Sequence, residues 1–236
     1  MSLTAAMTLA FAAGLAIPLG GLLASVTHLR SKCRELELDS FVLYFGGGAL
    51  AAAITLVLIP EGVDRLSWPW ATLWFLAGGL GFWRLTVWQN KTESSAGMFV
   101  GTMSDFVPEA ILLGAAALAG SPTVYLLAGL IGLQNLPEGF ATYESMRGQG
   151  GGGSKRLWVL LSVAPFAGPL AAWLGYGLFA DSDAALGGLI LACSGGILFL
   201  IFDDIAPKAK LKNEDFPALG AVLGYLLGLV GHMLTG

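Results

Sequence analysis

The stretch Met98–Tyr143, MFVGTMSDFVPEAILLGAAALAGSPTVYLLAGLIGLQNLPEGFATY, decides how this chain folds. Two apolar runs, Met98–Ala119 and Thr123–Tyr143, flank the turn Ala119-Gly120-Ser121-Pro122. Each run is long enough, at about 1.5 Å of rise per residue, to cross about 30 Å of hydrocarbon as a helix. The short turn makes the two an antiparallel hairpin. Each run carries one polar segment of the same design: Ser104-Asp105-Phe106-Val107-Pro108-Glu109 in the first, Gln134-Asn135-Leu136-Pro137-Glu138-Gly139 in the second. A carboxylate at membrane depth costs about 2.5–3.5 kcal/mol, so Asp105, Glu109 and Glu138 together represent roughly 7–10 kcal/mol that a bound cation would offset.

Composition puts these segments at membrane depth. Hydrophobic residues make up 56% of the 236-residue chain and charged residues 12%, with a mean hydropathy of +0.74; soluble domains carry about 25% charged residues. Working outward from the hairpin, eight apolar spans are expected, at Leu3–Thr27, Phe41–Pro60, Trp68–Trp83 (extending toward Trp88), Met98–Ala119, Thr123–Tyr143, Leu157–Ala180, Ala184–Phe202 and Phe216–Leu234. Glycine patches such as Gly46-Gly47-Gly48, Gly78-Gly79 and Gly195-Gly196 suit close helix packing in lipid. The expected architecture is a single all-α integral membrane domain, residues 1–236, built as one eight-helix bundle.

Lys and Arg are retained on the cytoplasmic side of short loops. Of the 12 basic residues, 11 fall on one face: Arg30, Lys32 and Arg34 after span one, Arg84 and Lys91 after span three, Arg147, Lys155 and Arg156 after span five, and Lys208, Lys210 and Lys212 after span seven. Arg65 alone lies on the other face, so both termini are expected outside the cytoplasm, in a plasma membrane of the bacterial inner-membrane type. A cleavable signal peptide is not expected, because the first basic residue, Arg30, follows the first apolar run. No basic and aromatic surface suggests nucleic acid. Cys33, in a basic loop, and Cys193, inside span seven, read as ordinary thiols with no mutual disulfide. The segment Gly148–Ser154 resembles a designed flexible linker and is set aside from functional reasoning.

Helical spacing stacks Asp105 on Glu109 and Gln134 on Glu138, with Asn135 three residues before Glu138, so each segment is a strip of oxygen-bearing side chains. Pro108 cannot donate to the Ser104 carbonyl, nor Pro137 to that of Leu133, which adds backbone oxygens to each strip. Facing strips make one shared cation site of Ser104, Asp105, Glu109, Gln134, Asn135 and Glu138. The alternative is protonated acids and neutral amides joining helices by ordinary hydrogen bonds. Glu61 and Asp64 at one mouth, and Asp203 and Asp204 at the other, are candidate access groups that concentrate cations, or else solvated helix ends.

These segments resemble the paired Pro-Glu-Gly motifs in helices four and five of the ZIP family of divalent metal transporters. Leu58-Ile59-Pro60-Glu61-Gly62 and Asp203-Asp204-Ile205-Ala206-Pro207 are similar to the family's endings of helices two and seven. The resemblance extends over nearly the whole chain and implies an eight-helix bundle with external termini. It departs at named positions. Ser104 stands where the family usually has histidine, Asp105 where it has asparagine, and Gln134 and Asn135 replace the corresponding pair of helix five. Gly168 stands where a bridging carboxylate of a second metal position would sit. His28 and His232 lie near helix ends, far from the motifs.

The function expected is movement of a divalent ion, Zn²⁺, Fe²⁺ or Mn²⁺, along spans two, four, five and seven toward the cytoplasm, without enzymatic chemistry. The partners expected are metal ions and the lipid bilayer, with a homodimer as an open option and no nucleic acid. The rival is a ZIP-like sensor or scaffold that binds metal without transporting it. An intramembrane metallohydrolase would want three strong ligands, an open water position and a general base, and no histidine falls in the expected core.

Overall fold

The computed structural model describes residues 1–27, 32–89, 95–118, 120, 124–147, 155–178, 182–209 and 216–235. These form eight helical rods and, among the described residues, no strand. Rod one is broken into α1 (Leu3–Gly14) and α2 (Ala16–Thr27). Rod two is α3 (Lys32–Ala52), a π-helical stretch Ala53–Leu58 and α4 (Ile59–Val63). Rods three to six are α5 (Trp68–Gln89), α6 (Ser95–Leu118), α7 (Val124–Met146) and α8 (Lys155–Leu178). Rod seven is α9 (Asp183–Leu200), a second π-helical stretch Ile201–Ile205 and α10 (Ala206–Ala209); rod eight is a 3₁₀ turn Phe216–Ala218 and α11 (Leu219–Thr235).

Proline accounts for the departures from straight spans. The break at Leu15 falls before Pro18, which cannot donate to the Gly14 carbonyl. The π-helical stretches sit immediately upstream of Pro60 and Pro207, which leave the Leu56 and Asp203 carbonyls without their usual partners. By contrast α6 and α7 run through Pro108 and Pro137 uninterrupted. Lys32 and Cys33 belong to the first turn of α3 rather than to a loop. The linker-like segment 148–154, and His28, Arg30, Lys91, Lys210 and Lys212, lie outside the described residues.

Among the described residues, five stretches are long and apolar enough to cross a membrane: Leu3–Val26, Ser40–Val63, Phe99–Leu118, Lys155–Leu178 and Asp183–Asp203. Leu219–Leu234 is apolar but shorter. Rods three and five are as long but fall outside that set: α5 carries Arg84 and five of the chain's seven tryptophans, residues that favour membrane interfaces, and α7 holds Gln134, Asn135, Glu138 and Glu144. The outer surface exposes large apolar side chains, including Leu19, Trp68, Leu170, Leu178 and Leu234, as lipid contact requires and water would penalise.

The rods pack as an inner ring of four, with rod two (α3, its π-helical stretch and α4) against α7, α7 against α6, α6 against α9, and α9 back against rod two. Each ring member carries an outer helix: α11 on α3, α2 on α7, α8 on α6 and α5 on α9. At all four outer contacts a reciprocal glycine pair lets the backbones meet: Gly48 and Gly224, Gly20 and Gly139, Gly114 and Gly175, Gly78 and Gly195. A methyl group at any of these would overlap a carbonyl of the facing helix, so these are the close crossings that small residues provide in lipid. Rods one to three thereby repeat in rods six to eight. Both halves place a π-helical stretch in their middle rod, and corresponding rods lie five apart in an alternating series, so they run in opposite directions.

Candidate functional site

The site lies on the α6–α7 seam of the inner ring. Glu109 is 5% exposed and its carboxylate accepts a hydrogen bond from Nε2 of Gln134, itself 2% exposed, on the facing helix. About two turns along, the hydroxyls of Thr102 and Thr142 share a buried hydrogen bond of 2.6 Å. The two bonds fix an antiparallel register. Asp105 is one turn from Glu109 and Glu138 one turn from Gln134, in the sense that puts both between the two bonds and level with each other. Asp105 and Glu138 are half-buried.

The remaining strip residues divide differently. Asn135 is fully buried, and its Nδ2 donates to the Ala13 carbonyl at 3.0 Å, fastening α7 to α1 just before the break at Leu15. Its Oδ1 has no hydrogen-bond partner among the described residues. Ser104 donates to the Val100 carbonyl of its own helix at 2.8 Å, the local bond that hydroxyls make inside helices. Sequence spacing thus puts six residues in one site; the geometry joins Glu109 and Gln134 directly, puts Asp105 and Glu138 on the same seam, ties the Asn135 amide nitrogen to α1 with its oxygen left unpartnered, and gives Ser104 a bond within its own helix. Among the described residues no three His, Cys, Asp or Glu side chains converge as a ready cage for a metal ion. The donors form a ladder instead, with carboxylates, an amide and hydroxyls at successive levels.

The Gly168 position has a physical explanation. A Cβ there would meet the Ala10 carbonyl oxygen at 2.6 Å and the Phe106 ring at 2.9 Å, so α8 carries glycine where α1 and α6 close upon it. No room exists for a carboxylate without moving α1.

Of the access residues, Glu61 is not a free acid. Arg65 donates to Glu61 Oε1 at 3.1 Å and to Asp183 Oδ1 at 2.8 Å, tying the end of rod two to the start of α9. Gly62 and Gly187 bring the same two segments together. Asp64, the sequence neighbour of Arg65, is exposed and takes no part in these two bonds. At the opposite end Asp203 is exposed on the rim of an open groove of about 400 Å³, with Gly195, Leu198, Phe199 and Phe202. The side chain of Asp204 lies outside the described residues, as does that of Cys33; Cys193 is a buried free thiol on α9. Sequence reading missed Asp183, which is 118 residues from Arg65, and the Thr102–Thr142 pair, whose signal is only that each Thr continues the strip on its helix.

Compared with known proteins, the chain matches no protein-family model and no curated sequence.

Proposed function

We propose that this protein carries a divalent metal ion across a membrane through the α6–α7 seam, as the ZIP-like motifs imply. The observation that carries the reading is the register of the seam, where Glu109 and Gln134 meet and Asp105 and Glu138 stand level one turn away. Buried carboxylates at mid-rod are costly in lipid and recur where ions or protons pass. In this reading all eight rods span the membrane, with both termini outside the cytoplasm and the Ser95 end of α6 and Met146 end of α7 facing inward. The cargo is Zn²⁺, Fe²⁺ or Mn²⁺, and the membrane is a plasma membrane. Oxygen donors favour the harder ions of that group, while Zn²⁺ also accepts carboxylates. The inverted halves around the seam give the ring two related sides on which access can alternate.

The chemistry required of the chain is modest. Glu109, Asp105 and Glu138 replace water around the ion, Gln134 orients Glu109, and protonation of the carboxylates releases the ion. One observation favours a second reading, a ZIP-like sensor or scaffold that binds metal without transporting it: Gly168, where the resemblance would put a bridging carboxylate, is packed against Ala10 and Phe106. Uptake of each ion into proteoliposomes holding the purified protein tests the two. Concentrative or saturable uptake above protein-free vesicles supports the carrier, whereas metal binding without uptake supports the scaffold.

A further inference from the structure

Beyond the carboxylates, the seam contains a polar pair with no assigned role. Thr102 is 6% exposed and Thr142 is 7% exposed, and their Oγ1 atoms lie 2.6 Å apart across α6 and α7. Thr102 is three residues before Asp105, and Thr142 four after Glu138, so both hydroxyls continue the faces that hold the acids. Gln134 and Glu109 close the seam on one side of the Asp105–Glu138 level, and the threonines close it on the other. An ion leaving that level toward the Ser95 end of α6 and the Met146 end of α7 meets this pair next.

We infer that the Thr102–Thr142 hydroxyl pair is a gate on the ion path and the oxygen station that follows the carboxylates. The inference rests on the transport reading above. A hydroxyl has one proton and two lone pairs, so the two oxygens can bond each other when the seam is shut and turn lone pairs to a cation when it opens. Neutral oxygens suit this step, because they stabilise a partly dehydrated dication without holding it as carboxylates do; conduction needs a site strong enough to accept the ion and weak enough to release it. Interhelical Thr pairs in membranes are worth only about 0.6–2 kcal/mol, so the bond can part during a transport cycle.

Thr102→Val with Thr142→Val keeps the shape of both side chains and removes both oxygens. In vesicles loaded with the full chain, we expect Mn²⁺, Fe²⁺ or Zn²⁺ uptake to fall about tenfold or more while calorimetric affinity stays within about threefold of wild type, since the carboxylates remain. Thr102→Ser with Thr142→Ser keeps the oxygens and keeps uptake within about threefold. Wild-type uptake in the Val pair overturns the gate and leaves the threonines as helix glue. Should the Val pair fail to fold, Thr102→Val and Thr142→Val made singly give the same decision, since each removes one of the two oxygens: uptake should fall at least about threefold in both while affinity stays near wild type. Wild-type uptake in both single variants overturns the gate. A wild-type protein that binds metal but never carries it removes the transport reading and the gate with it, whereas unchanged uptake in the variants removes the gate alone.

Discussion

Gln134 donates its side-chain amide to the carboxylate of Glu109 from the facing helix, and both groups are nearly sealed from the surroundings. A buried acid paired this way is held in one orientation. If the seam is a metal path, Glu109 is a ligand and Gln134 its positioning partner, and the two should fail differently when changed.

Glu109→Ala and Glu138→Ala should each abolish saturable uptake and lower metal affinity. Gln134→Leu keeps both acids but leaves Glu109 unoriented, and should cost roughly 10–100-fold in affinity, the usual price of losing a partner behind a metal ligand. Isothermal calorimetry and vesicle uptake on all three decide it. Folded Glu109→Ala and Glu138→Ala proteins with wild-type affinity would sink the shared site.

Much of this arrangement was legible in the sequence. Helical period and apolar length place all eight rods, and the i, i+4 spacing puts Asp105 with Glu109 and Gln134 with Glu138. The hairpin fixes antiparallel faces, although of its turn only Gly120, at a φ of 71°, is among the described residues. Register across the seam was not legible, because it depends on which apolar side chains interlock, and so the Thr102–Thr142 pair stayed hidden. Asn135 reads as a ligand beside Gln134, but adjacent residues on a helix point about 100° apart, and the bond of its Nδ2 to the Ala13 carbonyl of α1, which leaves Oδ1 unpartnered, is a tertiary contact that spacing does not show. Gly168 reads as a lost carboxylate only if space surrounds it, and the approach of Ala10 and Phe106 is a tertiary fact.

That crowding makes a clear prediction. Gly168→Glu should not create a second metal position; it should destabilise the bundle by about 1–3 kcal/mol or more as α1 is pushed from α8. A lower thermal midpoint in detergent, with one metal still bound per chain, is the expected result. A stable variant binding two ions would show that α1 yields easily and that the position is a usable ligand site.

Metal binding should weaken as pH falls, because carboxylates must be ionised to coordinate and protons then compete with the ion. Asp105 should contribute to this linkage through its place between the two cross-seam bonds, level with Glu138. Asp105→Asn keeps the shape and removes one ionisable group, so affinity should drop and fewer protons should be released per ion bound. Calorimetry in buffers of different ionisation enthalpy counts those protons directly. An unchanged count would remove Asp105 from the site.

Where the end of rod two meets α9, Arg65 bridges Glu61 at 3.1 Å and Asp183 at 2.8 Å, so a cation entering by the proposed mouth would compete with it. Asp183 is largely exposed at its carboxylate, so water and salt screen that bond, which should contribute no more than about 1 kcal/mol to stability, while the part-buried bond to Glu61 is screened less. Their effect on ion access should be larger, since a guanidinium repels a dication and holds the Glu61 carboxylate. Arg65→Gln should therefore leave the thermal midpoint nearly unchanged and raise the initial uptake rate at low metal concentration, with the gain shrinking as salt rises. Arg65→Lys keeps the charge and should behave like wild type, which separates electrostatics from packing of the Arg65 stem against the Gly187 backbone. If Arg65→Gln instead slows uptake while Arg65→Lys does not, the bridge is holding the mouth in a working shape rather than obstructing it. If neither variant changes the rate at any salt concentration, ions do not pass this mouth, and Glu61 is a structural partner of Arg65 alone.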